Sequence, residues 1–273
     1  MPPFSFFQHF SERPALIAMI HVPALPGTPN YNGDWPVVIQ QVKREAAIYQ
    51  AAGVDALILE NMHDTPYLAR EVGPEIVSSM TAAALAVKAV APDLVCGIQV
   101  LAGANQAALA VALAAGCQFI RAEAFVFGHV ADEGWMNSDA GKLLRYRKQI
   151  DASHIAVYTD IKKKHSAHQL TADVSLAETA KAAHFFRADG VIVTGTATGA
   201  PAKTADLKAV KEACPEIPVF IGSGVNTQNL KKYTAYADGL IVGSSLKTGN
   251  HWANPIDENK LADLLSNLDT VRS

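Results

Sequence analysis

Residues 218–246 read PVFIGSGVNTQNLKKYTAYADGLIVGSSL. Two apolar runs, Pro218–Val225 and Gly239–Leu246, flank a segment with helical spacing, Gln228–Ala237. Runs that are apolar at nearly every position are typical of parallel strands buried on both faces. The link between them is long enough for the crossover helix that a parallel pair requires. Both runs also end in small residues, Gly222-Ser223-Gly224 and Gly243-Ser244-Ser245, just before the chain turns towards a helix.

The same alternation extends back through the whole chain. Further strands are expected at Leu16–Val22, Ala56–Asn61, Val95–Leu101, Phe119–Phe125, Ile155–Lys162 and Gly190–Gly195. Helical spacing marks Pro36–Ala52, Pro74–Ala91, Ala104–Ala115, Ala140–Ile150, Ser175–Ala188, Ala205–Cys214 and Glu258–Leu268. Several of these open on helix-start signals: Asp34-Trp35-Pro36, Gly73-Pro74-Glu75, Thr227-Gln228 and Asp257-Glu258. Eight strands alternating with eight helices in 273 residues is the count of an α/β (β/α)8 TIM barrel. A doubly wound open sheet usually has fewer units, and no glycine-rich dinucleotide fingerprint follows the first strand. No linker divides the chain, so residues 1–273 read as one barrel domain, with 1–14 as an N-terminal capping segment.

Composition narrows the function. The chain is 49% hydrophobic and 18% charged, with a formal net charge of −3, as for a globular protein with a large core. A nucleic-acid binder would carry a basic field, and the single basic run, Lys162-Lys163-Lys164, is too small for one. The longest apolar stretches, such as Ala107–Ala115, fall far short of the roughly 20 residues of a membrane span. Cys96, Cys117 and Cys214 are widely spaced, as in a reducing compartment. The N-terminus, with Phe4, Phe6, Phe7, Phe10 and a lone Arg13, lacks the pattern of a secretory or transit signal, so the cytoplasm is expected. Homo-oligomerisation is compatible with a barrel of this size, although no interface is legible.

In such barrels the site lies at the C-terminal ends of the strands. The loops there, Pro23–Trp35, Val126–Asp139, Lys163–Val174 and Thr248–Asp257, are the long ones, and they carry Trp35, Trp135 and Trp252. Glycines and serines at the ends of strands seven and eight let backbone N–H groups approach an anion. Gly222, Ser223, Gly224, Gly243, Ser244 and Ser245 are therefore expected to cradle a phosphate. Nucleotide motifs are not met: Gly222-Ser223-Gly224 lacks the third glycine of GxGxxG, and Lys203-Thr204 is not preceded by the glycine of a P-loop.

Polar residues ending the other strands are candidate acids and bases: His21, Glu60, Arg121, Glu123, Asp160 and Lys162, with Asn61, Gln99 and Thr194 as substrate contacts. Buried ionisable groups are costly unless paired or functional. Glu60 and Asn61 are adjacent and cannot both face inward, so one of them is structural. Arg121 and Glu123 could equally form an internal salt bridge. Asp160 and Lys162 share a face by parity, and a lysine there can act as acid, base, electrostatic stabiliser or Schiff-base former. No cofactor motif is present. His165 and His168 have H-x-x-H spacing, which chance explains among nine histidines. His21, Glu60 and Asp160 are the one set of strand ends that could gather around a divalent ion.

A series of short motifs runs in order along the chain. They run from His21-Val22-Pro23-Ala24-Leu25-Pro26-Gly27, through Glu60-Asn61 with Pro66-Tyr67, to Gly97-Ile98-Gln99-Val100-Leu101. They continue with Phe119-Ile120-Arg121, Asp132-Glu133-Gly134, Asp160-Ile161-Lys162-Lys163-Lys164-His165 and Asp189–Gly195 with Thr198-Gly199. Gly222–Val225, Ala237-Asp238-Gly239 and Asn254-Pro255 complete the series. Together and in this order these motifs resemble the BtpA/SgcQ family, and the resemblance implies a TIM-barrel-like fold. It also implies a link either to photosystem I accumulation or to sugar metabolism. A nucleoside-triphosphatase label attached to some members finds no P-loop here. Three expectations follow: an isomerase, epimerase or lyase acting on a small phosphorylated sugar or nucleoside, an assembly or stability factor, or a metal-dependent hydrolase.

Overall fold

The computed structural model describes residues 3–10, 14–195 and 197–272; positions 1, 2 and 11–13 of the capping segment, Arg13 among them, lie outside the described residues. The eight barrel strands are β1 (Ala15–His21), β2 (Ala56–Glu60), β3 (Val95–Gln99), β4 (Phe119–Ala122), β5 (Ala156–Ile161), β6 (Gly190–Thr194), β7 (Val219–Gly222) and β8 (Gly239–Val242). They pair in parallel and in chain order, and β8 closes on β1 with Gly239 opposite Ala15. The helices between them are α1 (Trp35–Ala52), α2 (Pro74–Val90), α3 (Asn105–Ala115), α4 (Ala140–Gln149), α5 (Leu176–Phe185), α6 (Thr204–Ala213), α7 (Leu230–Tyr233) and α8 (Glu258–Arg272). The fold is the closed (β/α)8 barrel expected from the alternation.

Local chemistry sets the helix ends. Asp34 caps α1 by accepting from the Val37 N–H at 3.2 Å, and Gly53 ends it in the left-handed region with φ 80°. Ser175 and Glu178 form a reciprocal capping box at the start of α5. Helix α7 is much shorter than its apolar spacing suggests. The Asn226 side chain accepts from the N–H groups of Gln228 and Asn229, and Asn229 donates to the Gly224 carbonyl at 2.7 Å. These turns hold residues 226–229 outside the helix.

Alternation along the strands splits the core in two. One set faces outward to the helices. The other fills the barrel: Ile17 and Met19, Ile58, Val95, Phe119, Tyr158, Ile192, Phe220 and Ile241. Phe6 and Phe10 of the N-terminal segment join this inner set, with the Phe6 ring edge-on to Phe220 at 4.9 Å. They stand beside residues at the strand starts, at the end opposite the long loops. The other end is open and polar.

Two of the long loops form structure that periodicity did not announce. His129–Ala131, Gly134–Met136 and Ser166–Ala167 pair as a small antiparallel sheet joining the loops after β4 and β5. No helix among the described residues is long and apolar enough to cross a membrane.

Candidate functional site

Strand parity carries a ring of polar side chains into the open end of the barrel. His21 lies opposite Glu60, and Glu60 opposite Gln99, in the register of β1, β2 and β3. Arg121 and Asp160 reach in from β4 and β5, and Thr194 from β6. At the corresponding places on β7 and β8 stand Gly222 and Gly243, which leave room for neighbours. A Cβ on Gly222 would lie 3.2 Å from the Ile192 side chain, and one on Gly243 would lie 3.0 Å from the His21 ring.

Arg121 and Asp160 are both buried and meet in a two-pronged pair, Nε to Oδ2 and Nη2 to Oδ1, each 3.0 Å. Burial opposes the charge on Arg121, but Asp160, with help from Glu60 and Glu123, more than offsets it. Arg121 is therefore a fixed cation facing the mouth, and Asp160 is its counter-ion rather than an available base. Glu123 is likewise engaged, accepting from Gln99 Nε2 and Lys163 Nζ, each at 3.3 Å.

Glu60 is buried with no comparable partner, and its nearest ionic neighbour is His21 Nε2 at 3.8 Å. Burial raises the Glu60 pKa, against the pull of Arg121 and Lys164. His21 Nδ1 donates to the Trp252 carbonyl at 3.0 Å, because a carbonyl can only accept. That bond leaves Nε2 as the unprotonated nitrogen. Burial, then Lys247, His63 and Lys164, lower the His21 pKa from 6.5 to about 3, so the ring is neutral at pH 7. The Trp252 ring lies edge-on to His63 at 4.7 Å and to His21 at 6.0 Å.

The lysines depart from the parity expectation. β5 ends at Ile161, and Lys162 sits in the left-handed region with φ 47°, which breaks the alternation. Its ammonium donates to the carbonyls of Thr171 (3.0 Å) and Val174 (2.5 Å), and among the described residues it has no hydrogen bond or ion pair with Asp160. Lys164 enters the mouth instead, close enough to Arg121, Glu60 and Asp160 to feel their charges. Burial and then Arg121 lower its pKa, and the carboxylates only partly offset them.

A cavity of about 390 Å³ opens above this ring. Its walls include His21, Glu60, Arg121 and Lys164, and also Ser223–Gln228, Gly243–Leu246 and, from α8, Lys260 and Asp263. The N–H groups of Gly224, Ser244 and Ser245 donate to nothing among the described residues, and all three residues line the cavity. Gly222 stands behind it. Gly224 has a second duty. Its φ is 70°, and an added Cβ would lie 2.6 Å from the Ala200 and Pro201 backbone, so this glycine also seats the loop after β6. Ser223 Oγ bridges the same loops, accepting from the Gly199 N–H and donating to the Ala197 carbonyl, each at 3.1 Å.

Of the expected substrate contacts, Asn61 faces the other way. Its amide donates to Asp64 and accepts from the Leu101 N–H, each at 2.8 Å, so it ties loops together. Glu60 is thus the inward member of the adjacent pair. Thr194 Oγ1 and Gln99 Oε1 are buried and without a partner among the described residues, and neither residue lines the cavity. Asp160 is paired with Arg121, so the His21, Glu60 and Asp160 carboxylates and imidazole do not converge as a ligand set. No group of three or more His, Cys, Asp or Glu side chains among the described residues does. His165 and His168 serve the loops: His165 Nε2 accepts from the Thr198 N–H at 3.2 Å, and His168 bonds the Lys163 carbonyl at 2.9 Å.

Residues 12–270 match the profile of the BtpA family. The chain belongs to the BtpA family. It is 49% identical over 266 residues to an uncharacterized mitochondrial protein of Caenorhabditis elegans, covering 96% of this chain and 95% of that one. It is 35% identical over 253 residues to the photosystem I biogenesis protein BtpA of Synechocystis, covering 92% and 86%. Among solved structures, a phosphoribosyl anthranilate isomerase from Thermus thermophilus superposes with TM-score 0.57 at 16% identity, covering 94% of this chain and 99% of that one. At that identity the likeness is one of fold.

Two features of this BtpA-family chain had no sequence signal. Arg70, in the loop after β2, bonds the carbonyls of Gly103 (3.1 Å), Ala124 (2.8 Å) and Asn137, and pairs with Asp139 at 2.8 Å. It clamps three front loops together. Lys247 is fully buried beneath the turn at Ser244–Leu246 and pairs with Glu45 of α1 at 2.6 Å. Both partners come from segments distant in sequence, which no local pattern can reveal.

The buried histidines give a pH dependence. His21 takes a proton near 6.5 when unfolded but only near about 3 when folded, so the unfolded state gains protons as pH falls across that window. His129, whose pKa is lowered to about 4 by burial, His168 and Lys163, acts in the same direction. The stability they contribute is complete above 6.5 and lost progressively below it. The raised pKa of Glu60 acts oppositely, favouring the folded state at low pH. Replacing His21→Gln is expected to flatten the fall of melting temperature between pH 6.5 and about 4. An unchanged slope would contradict the assignment.

Proposed function

We propose that this chain is an enzyme acting on a small phosphorylated metabolite, with chemistry of the isomerase, epimerase or lyase type. One observation carries the reading: a single cavity joins the ionisable ring at His21, Glu60, Arg121 and Lys164 to the unpaired N–H groups of Gly224, Ser244 and Ser245. A phosphoryl group would rest on those N–H groups, as anions do at the ends of strands seven and eight of such barrels. The carbon skeleton would then lie against the ring. Glu60, with its pKa raised, and Lys164, with its pKa lowered, form a pair whose environments move them towards proton transfer at neutral pH. Arg121, fixed by Asp160, would stabilise negative charge developing on the substrate. Lys164 takes the place that parity gave to Lys162.

The name of the Synechocystis relative favours a second reading, an assembly or stability factor, in which the mouth residues would be dispensable. A reducing compartment such as the cytoplasm suits three free, buried cysteines, and the Caenorhabditis relative's name points to the mitochondrion as another.

A thermal-shift screen with inorganic phosphate, sugar phosphates and nucleoside phosphates separates these readings. A ligand at ~100 times its Kd adds about 2.7 kcal/mol, or roughly 5–10 °C for a chain of this size. A shift with one phosphorylated class is expected. No shift with any of them would sink the phosphometabolite reading.

A further inference from the structure

The cations around the open end of the barrel differ in one respect. Arg121 is held by Asp160, Lys163 by Glu123 at 3.3 Å, and Lys247 by Glu45 at 2.6 Å. Lys162 is capped by two carbonyls, and Lys260 donates to the Lys247 carbonyl and to Asn250. Lys164 alone among these has no hydrogen bond or ion pair among the described residues, although its side chain lines the cavity. Structural lysines are normally paired, and a free one aimed into a concave polar site needs a reason.

We propose that Lys164 is a covalent nucleophile that forms a Schiff base with the carbonyl carbon of a phosphorylated aldehyde or ketone. The inference rests on the phosphometabolite reading and makes it specific, since only a carbonyl compound can react this way. Three further observations support it. Arg121, a cation that does not lose its proton, lies near Lys164, and burial acts in the same sense, favouring the neutral amine a nucleophile must be. Glu60, the ring carboxyl without a strong partner, stands close enough to act on the same ammonium and can carry protons to and from the substrate oxygen. The N–H groups of Ser244 and Ser245 lie in the wall of the same cavity and would hold the phosphate while the carbonyl faces the amine.

The chemistry balances without a redox partner. The neutral amine attacks the carbonyl carbon, the C=O π pair moves to oxygen, and Glu60 supplies the proton that makes the carbinolamine hydroxyl. The nitrogen loses its extra proton to Glu60. Protonation of the hydroxyl then expels water as the nitrogen lone pair closes the C=N bond. The resulting iminium draws electrons from the adjacent carbon, which is what isomerisation, epimerisation and carbon–carbon cleavage next to a carbonyl all need.

The test is reductive trapping on the full chain. The protein is incubated with dihydroxyacetone phosphate or ribose 5-phosphate, reduced with sodium borohydride and mapped by peptide mass. The inference requires an adduct on the peptide bearing Lys164, absent with unphosphorylated dihydroxyacetone, suppressed by inorganic phosphate and lost in Lys164→Arg and Lys164→Met. A thermal shift with the phosphorylated compounds but no adduct at Lys164, or adducts only on exposed lysines, would overturn the covalent role and leave the phosphate site standing. Neither shift nor adduct would overturn both.

Discussion

Lys164→Met is expected to abolish turnover of the proposed phosphorylated substrate and to leave the melting temperature unchanged or higher. The two halves of this expectation have one physical origin. The Lys164 ammonium is placed beside Arg121 and partly desolvated, which destabilises its charged form in the folded state. Methionine keeps the unbranched stem, removes that charge and takes away the group that would transfer a proton or bond to substrate. Positioned acid–base groups contribute about 10²–10⁴ in rate, and a covalent role would place the loss at or beyond the upper end. Stability gained where activity is lost is the usual trade at such sites. Initial rates and melting temperatures of parent and variant check both halves. Full activity in Lys164→Met would remove the residue from the mechanism, whereas a large fall in melting temperature would make it structural. Lys162→Met should retain turnover, because that ammonium serves the Thr171 and Val174 carbonyls.

The second large effect lies at the Arg121–Asp160 pair at the mouth of the barrel. Asp160→Ala leaves the Arg121 guanidinium buried and uncompensated, and breaking a buried pair in this way costs about 3–5 kcal/mol. Replacing both residues, as Arg121→Met with Asp160→Leu, removes both desolvation penalties, so most of the lost stability should return. Activity should not return with it, because the fixed cation facing the mouth is gone. Urea unfolding of the parent, the single and the double variant gives the comparison. A loss below about 1 kcal/mol in Asp160→Ala would resemble a solvent-exposed pair. That would contradict the buried geometry at 3.0 Å.

Much of this site is legible before any coordinates, because a buried parallel strand has a strict period of two. His21, Glu60, Gln99, Arg121 and Asp160 share the inward parity of their strands, and all of them face the barrel axis. The same rule failed at Lys162 for a definite reason: β5 ends one residue earlier, and a φ of 47° resets the direction of the chain. Parity holds only as far as the ladder does. The adjacency argument at Glu60 and Asn61 identified a structural partner, and the hydrogen bonds of Asn61 show which one it is. Glycine was readable as a need for space but not for whom: Gly222 makes room for Ile192, Gly243 for His21, and Gly224 for the backbone at Ala200. The Arg70 clamp, the Lys247–Glu45 pair and the sheet between the front loops depend on contacts across tens to hundreds of residues, which composition and period do not encode.

In the proposed function one ligand spans the backbone cradle and the ionisable ring, so its binding must depend on both ends of the cavity. The most direct measurement is isothermal titration of ribose 5-phosphate into the parent, Ser244→Asp and Arg121→Met. Ser244→Asp places a carboxylate among the cradle N–H groups at a partly exposed position, and Arg121→Met removes the cation at the ring. Binding by the parent is expected, with a weakening of about tenfold or more, roughly 1.4 kcal/mol, in each variant. Affinity in Ser244→Asp equal to that of the parent, with the fold intact, would show that the phosphate does not rest on that cradle.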